Sequence, residues 1–279
     1  MARVARPGRP RLPRRRERDP EGRMSLGDHL REFRRRILIA AVTVLVAAIA
    51  AGLNYERIFT FLAAPFNDYK RSNPASTISL NFGEATSAFS NLITLSVFVG
   101  VLAASPVWLY QAWAFVVPGL TKKEKRVSLA FIAATVPLFL GGCLLGYVVL
   151  PQSLQLLYGF SPSGTSNIQQ VSAYFSFVTR FILVFGGGFL FPVFLVAFNA
   201  VGILPAQKMI KGWRVAVVLI FVFAAVATPT ADPMTMFLLA APLILLYFVA
   251  YGIARLIDRR REKARPDWLE TSDDEASAL

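Results

Sequence analysis

The sequence has one cysteine, Cys143, and one histidine, His29, among 279 residues. A single thiol excludes an internal disulfide and a multi-cysteine metal centre, and a single imidazole excludes a histidine-cluster site. No GxxxxGK[ST] phosphate loop occurs, which argues against nucleotide hydrolysis. Carboxylates are scarce, and none lies between Glu124 and Asp232. No nucleophile–base pair and no metal-ligand set is legible, so the chain does not read as an enzyme and no cofactor is expected. An intramembrane protease would need catalytic groups that these apolar segments lack.

What is abundant is apolar surface. The chain is 55% hydrophobic and its mean hydropathy is +0.50, against roughly 45–50% apolar residues in an ordinary soluble domain. Several apolar runs approach the ~20 residues that cross a hydrocarbon core about 30 Å thick. The net charge of +13 could suggest nucleic acid, but its distribution argues for a membrane. Thirteen of the 30 Lys and Arg fall in residues 1–36, four in 122–126, three in 208–214 and six in 255–265. Arg57, Lys70 and Arg71 lie in the alternate segments, and Arg180 lies inside a span. This asymmetry follows the positive-inside rule for an even number of spans, with both termini cytoplasmic.

The expected organisation is an all-α polytopic membrane protein. Residues 1–23 are rich in Arg and Pro and should be disordered. They read either as a basic arm on anionic lipid or as an extension upstream of a start at Met24; a cleaved secretory signal fits poorly, because the apolar run is too long. Ser25–Arg36 reads as a short amphipathic surface helix, with Leu26, Leu30 and Phe33 at helical spacing. Spans are expected at about Ile37–Gly52, Ser87–Phe115, Val127–Leu150, Ala173–Val201, Trp213–Ala227 and Met234–Ile257. Pro106 should bend the second, and the Gly186–Gly188 run with Pro192 should kink the fourth. Gly142-x-x-x-Gly146 reads as ordinary close helix packing. The fifth span is only about 22 Å long at 1.5 Å per residue, which implies a locally thinned bilayer. The six-span domain covers 24–257, and the tail at 258–279 should be disordered.

The most informative segment is Ser105–Arg126. Its apolar, aromatic first half ends at Pro118-Gly119, a helix stop, and Lys122, Lys123, Lys125 and Arg126 follow at once. Glu124 is one carboxylate among four cations, and a lone acid at such a turn suits a cationic partner. Together with other segments this one carries a resemblance. These are Met24-Ser25-Leu26 with His29-Leu30, Glu32-Phe33 and Arg34-x-Arg36; Ala64-Pro65; Gly141–Tyr147 with Pro151; Phe185-Gly186 with Phe189 and Pro192; and Thr228-Pro229 with Asp232, Pro242 and Leu246-Tyr247. On these residues the chain resembles the TatC family, the receptor subunit of the twin-arginine protein translocase. The resemblance implies a cup-shaped bundle of six transmembrane helices that binds twin-arginine signal peptides of folded precursors. It implies the single-span partners TatA and TatB, self-association, transport driven by the proton-motive force, and residence in the bacterial cytoplasmic membrane. Anionic lipids are expected partners and nucleic acid is not.

Two departures from the family pattern stand out. Leu190 occupies the position of a usual fourth-span glutamate, and Phe248 that of another in the sixth span. Arg180 is an unexpected intramembrane cation.

Guanidinium pairs are best held by carboxylates in forked hydrogen bonds. Glu32 and Glu124 match family positions tied to signal recognition and are expected to bind the arginine pair; the competing reading is that each only neutralises neighbouring cations. Phe115 is expected against the apolar part of the signal. Arg34 and Arg36 hold the surface helix to headgroups or order the acids, whereas Trp108, Tyr110 and Trp113 suit interfacial anchoring. His29 reads as a helix-surface hydrogen-bonder. Two readings fit Arg180: pairing with Glu84, Asp232 or lipid phosphate, with a partner's span docking there, or snorkelling to the interface. Pro65, Pro106, Thr228 and Pro229 shape the outer cap and bends. The alternative function is a secondary transporter of a small solute, which needs mid-membrane ionisable groups.

Overall fold

The computed structural model describes residues 26–73, 78–116, 122–159, 167–227 and 233–263, with the side chains of Leu26, Val116, residues 122–131, Asn167 and Lys263 outside the description. The described chain is helical apart from two short strands. The order is α1 (Leu26–Gly52), α2 (Tyr55–Ser72), β1 (Ile78–Asn81), α3 (Ser87–Ala103), α4 (Ser105–Val116), α5 (Lys122–Gly159), β2 (Asn167–Gln170), α6 (Val171–Ala200), α7 (Ala206–Lys211), α8 (Trp213–Ala227) and α9 (Pro233–Lys263). Four helices are long and apolar enough to cross a membrane, and α3 with α4 forms a fifth span bent by 63°. The short apolar α8 completes the six.

Several boundaries moved for physical reasons. The expected surface helix is the continuous beginning of α1, because no Gly or Pro separates Arg36 from the apolar run. α5 continues through Pro137 and Pro151 to Gly159, and α9 continues to Lys263. α6 stays one helix through its glycines and Pro192. The bend expected at Pro106 is there: α3 ends at Ala103, and Trp108 spans the break by donating Nε1–H to the Val101 carbonyl at 2.9 Å.

α6 is the central helix, packing against α3, α5 and α9. Phe175 and Phe185 are fully buried, and Leu95, Leu150, Leu239 and Leu243 close around them. The Gly142/Gly146 pair lets α5 approach α6. A Cβ on Gly142 would sit 2.7 Å from the Phe185 carbonyl, and one on Gly146 would sit 3.0 Å from the Phe185 Cβ. The first is closer than a real Cβ shows and the second is tighter than most, so the two glycines favour this close approach.

At the outer end, α2 lies across the bundle. Pro65 sits inside α2 and lacks the N–H that would bond the Phe61 carbonyl. That carbonyl instead accepts from the Tyr147 hydroxyl at 3.0 Å, and the next, of Leu62, accepts from Tyr174 at 2.9 Å. Pro65 thus frees an acceptor that ties the cap to α5. The sequence carries no signal for the parallel pairing of β1 with β2, Ile78 opposite Asn167 through Asn81 opposite Gln170. It joins the two outer loops.

Candidate functional site

Two side-chain clusters occupy the basic end of the bundle. The first lies between α1 and α4, which run antiparallel. His29, Glu32, Phe33 and Arg36 recur at three- and four-residue steps and share one face of α1. Gln111 and Phe115 are four apart on α4. The pairing is head to tail. Phe115 stacks on His29 with ring centroids 4.6 Å apart and leans on Phe33 at 4.9 Å, while Arg36 Nη1 donates to Gln111 Oε1 at 3.4 Å. Glu32 lies between these contacts. Its Oε1 accepts from Arg36 Nε at 3.1 Å and from Arg36 Nη2. Its Oε2 is buried and has no partner among the described residues.

That half-satisfied carboxylate is the chemical centre of the cluster. A buried carboxylate oxygen without a donor is costly, and a guanidinium is the donor that best relieves it. The aromatic trio beside it offers an apolar wall. Of the residues expected at the site, the structure brings Glu32, Arg36 and Phe115 together. Arg34 points away, exposed, beside Arg31, Arg35, Leu38 and Ile39 on another face of α1. The backbone of Glu124 is the third residue of α5; its side chain and Pro118 lie outside the description. Sequence reading missed Gln111 and the stacking role of His29; their spacing across two helices carries no local signal.

The second cluster was also missed. Asp258 accepts from Asn199 Nδ2 at 2.9 Å and from the Ala206 backbone N–H at 2.7 Å. Asn199 also donates to the Leu204 carbonyl at 3.0 Å. Arg261 donates to the carbonyls of Asn199, at 3.1 Å, and Ala200. The cluster pins the turn after α6 and the start of α7 onto α9.

Within the membrane-spanning region, Arg180 is exposed and makes no ion pair or hydrogen bond among the described residues. Glu84 is therefore not its partner. Asp232, Thr228 and Pro229 lie outside the description. Leu190 lines an apolar groove of 360 Å³ with Gly187, Phe191, Phe194, Leu219 and Phe223. A carboxylate at 190 would meet no donor in that lining, which accounts physically for leucine there. No group of three or more His, Cys, Asp or Glu able to hold a metal ion occurs among the described residues.

Comparison with known proteins matches residues 28–242 to the family model described as Sec-independent protein translocase protein (TatC). The chain is 44% identical over 241 residues to the Sec-independent protein translocase protein TatC of Xylanimonas cellulosilytica, covering 86% of this chain and 87% of that one. It is 36% identical over 257 residues to the TatC of Rothia mucilaginosa, covering 92% and 87%. Among solved structures it resembles a crystal structure of the twin arginine translocase receptor TatC. The TM-score is 0.68 at 32% identity, over 82% of this chain and 99% of that one.

Proposed function

This chain belongs to the TatC family of Sec-independent protein translocases, and from that premise we propose that it receives twin-arginine signal peptides at the α1–α4 cluster. The observation that carries the reading is the buried, unbonded Glu32 Oε2 beside the Phe115–His29–Phe33 wall. One guanidinium of the signal bonds Glu32, the other bonds Glu124, and the apolar stretch of the signal packs on Phe115. A lysine ammonium offers no fork, so the site selects arginine over charge alone. The basic end faces the cytoplasm, as the distribution of Lys and Arg favours. Both termini are then cytoplasmic, in a bacterial inner membrane. TatA and TatB single-span subunits assemble with the chain, copies of the chain self-associate, and the proton-motive force drives export.

The test is binding of a fluorescent twin-arginine signal peptide, and its Lys-Lys variant, to the full chain in lipid nanodiscs. Loss of a charge-assisted hydrogen bond corresponds to about 10-fold or more in affinity. Glu32→Ala, Glu124→Ala and the Lys-Lys peptide should each weaken binding by about that much. Equal binding by all of them would mean that the peptide follows lipid or bulk charge, and the assignment would fall.

A further inference from the structure

The second cluster borders a cleft that its latch does not use. The cleft, of 660 Å³, lies between α7 and the last turns of α9, with Gln207 and Ile210 on one side and Tyr251, Arg255 and Arg259 on the other. Asp258 and Arg261 also border it, but both are engaged by the latch. Glu262, the remaining acid in the lining, is exposed. Arg255 and Arg259 are four residues apart on one face of α9, and neither makes a hydrogen bond or ion pair among the described residues. Lys208 and Lys211 on α7 add to the positive field.

The depth of Arg255 identifies the ligand. From Pro233 to Ala254, α9 carries no charge. At 1.5 Å per residue that run is roughly 33 Å long, close to the ~30 Å hydrocarbon core. Arg255 is the first charge after it, so it sits at the level of lipid phosphate. Tyr247 ties α7 to α9 by donating its hydroxyl to the Met209 carbonyl at 2.7 Å. The cleft is apolar at Ile210 of α7 and Tyr251 of α9 and cationic at Arg255 and Arg259. A soluble anion needs only the cationic part; a phospholipid uses both.

We propose that this cleft seats the headgroup of an anionic glycerophospholipid, with Arg255 and Arg259 holding the phosphate and Ile210 and Tyr251 covering the glycerol and upper acyl carbons. The site is separate from the α1–α4 cluster and does not depend on the signal-peptide reading.

The experiment reconstitutes the full chain in phosphatidylcholine nanodiscs containing a minority of phosphatidylglycerol, extracts it in mild detergent, and counts retained lipid by native mass spectrometry. Wild type should retain one phosphatidylglycerol per chain. Arg255→Gln and Arg259→Gln keep the packing stem of each exposed side chain, and each should reduce retention about 5-fold. Arg71→Gln, at the other end of the molecule, should leave it unchanged. A thermal midpoint that rises with phosphatidylglycerol in wild type, but not in the double Gln variant, is the second readout. Equal retention by the double variant, or equal retention of phosphatidylcholine, would overturn the proposal. Displacement by millimolar inorganic phosphate would assign the arginines to a free anion and overturn it as well.

Discussion

Asp258 and Glu32 sit at the same end of the bundle, each beside an arginine, and their oxygens are used differently. Both oxygens of Asp258 are taken by the chain itself, one by Asn199 and one by the Ala206 amide. Only Oε1 of Glu32 is taken, by Arg36, and Oε2 is buried without a partner among the described residues. A carboxylate with both oxygens engaged is a latch. It stabilises the fold and has nothing left for a ligand. A carboxylate with one oxygen open keeps a strong acceptor at a site where the fold gains little from it. The neighbouring arginines do not distinguish the two acids; the count of satisfied oxygens does.

The sharpest way to break this contrast is Asp258→Ala. It leaves Asn199 Nδ2 and the first amide of α7 without their acceptor, at an expected loss of about 2–3 kcal/mol. Thermal unfolding of the purified chain in nanodiscs should show a clear fall in midpoint. Glu32→Ala should cost no more than about 0.5 kcal/mol, because an i,i+4 ion pair on a partly exposed helix face is worth that little. If the two variants unfolded alike, the distinction between latch and open acceptor would be lost.

The next effect is on Arg36, which ties Glu32 to Gln111 of α4. If it orients the carboxylate, Arg36→Ala should weaken signal-peptide binding about 5-fold, near 1 kcal/mol, and Arg36→Gln should recover part of the loss. Tighter binding by Arg36→Ala would instead mean that Arg36 competes with the incoming guanidinium.

The sequence made some of this legible and hid the rest for identifiable reasons. Spans are read from uninterrupted apolar runs, which is why α8 matches its expected bounds, Trp213–Ala227. Pro106 announced the bend because proline acts locally. Helix ends are less legible: Pro151 and the charges after Ile257 read as stops, whereas α5 and α9 run on. Glu32 and Phe115 are named by the family resemblance, and that they lie in one cluster has no signal in spacing, since they are far apart in sequence. Asn199 and Asp258 form a pair that only the packing of α6 on α9 creates. Pro65 shows the intermediate case. Its missing N–H was legible, but the Tyr147 hydroxyl that uses the freed carbonyl was not.

The smallest expected effect tests the aromatic wall. Phe115 touches His29 and Phe33 at centroid distances of 4.6 and 4.9 Å, and such contacts contribute about 0.5–1.5 kcal/mol beyond area burial. If Phe115 serves only to join α4 to α1, Phe115→Leu should lower the thermal midpoint and leave peptide affinity untouched, because Glu32 keeps its geometry through Arg36. If Phe115 also covers the apolar stretch of the signal, affinity should fall about 3-fold for the normal peptide. It should then change little for a peptide whose apolar stretch is shortened. The double comparison, two side chains against two peptides, separates a wall that holds the receptor together from one that touches its ligand.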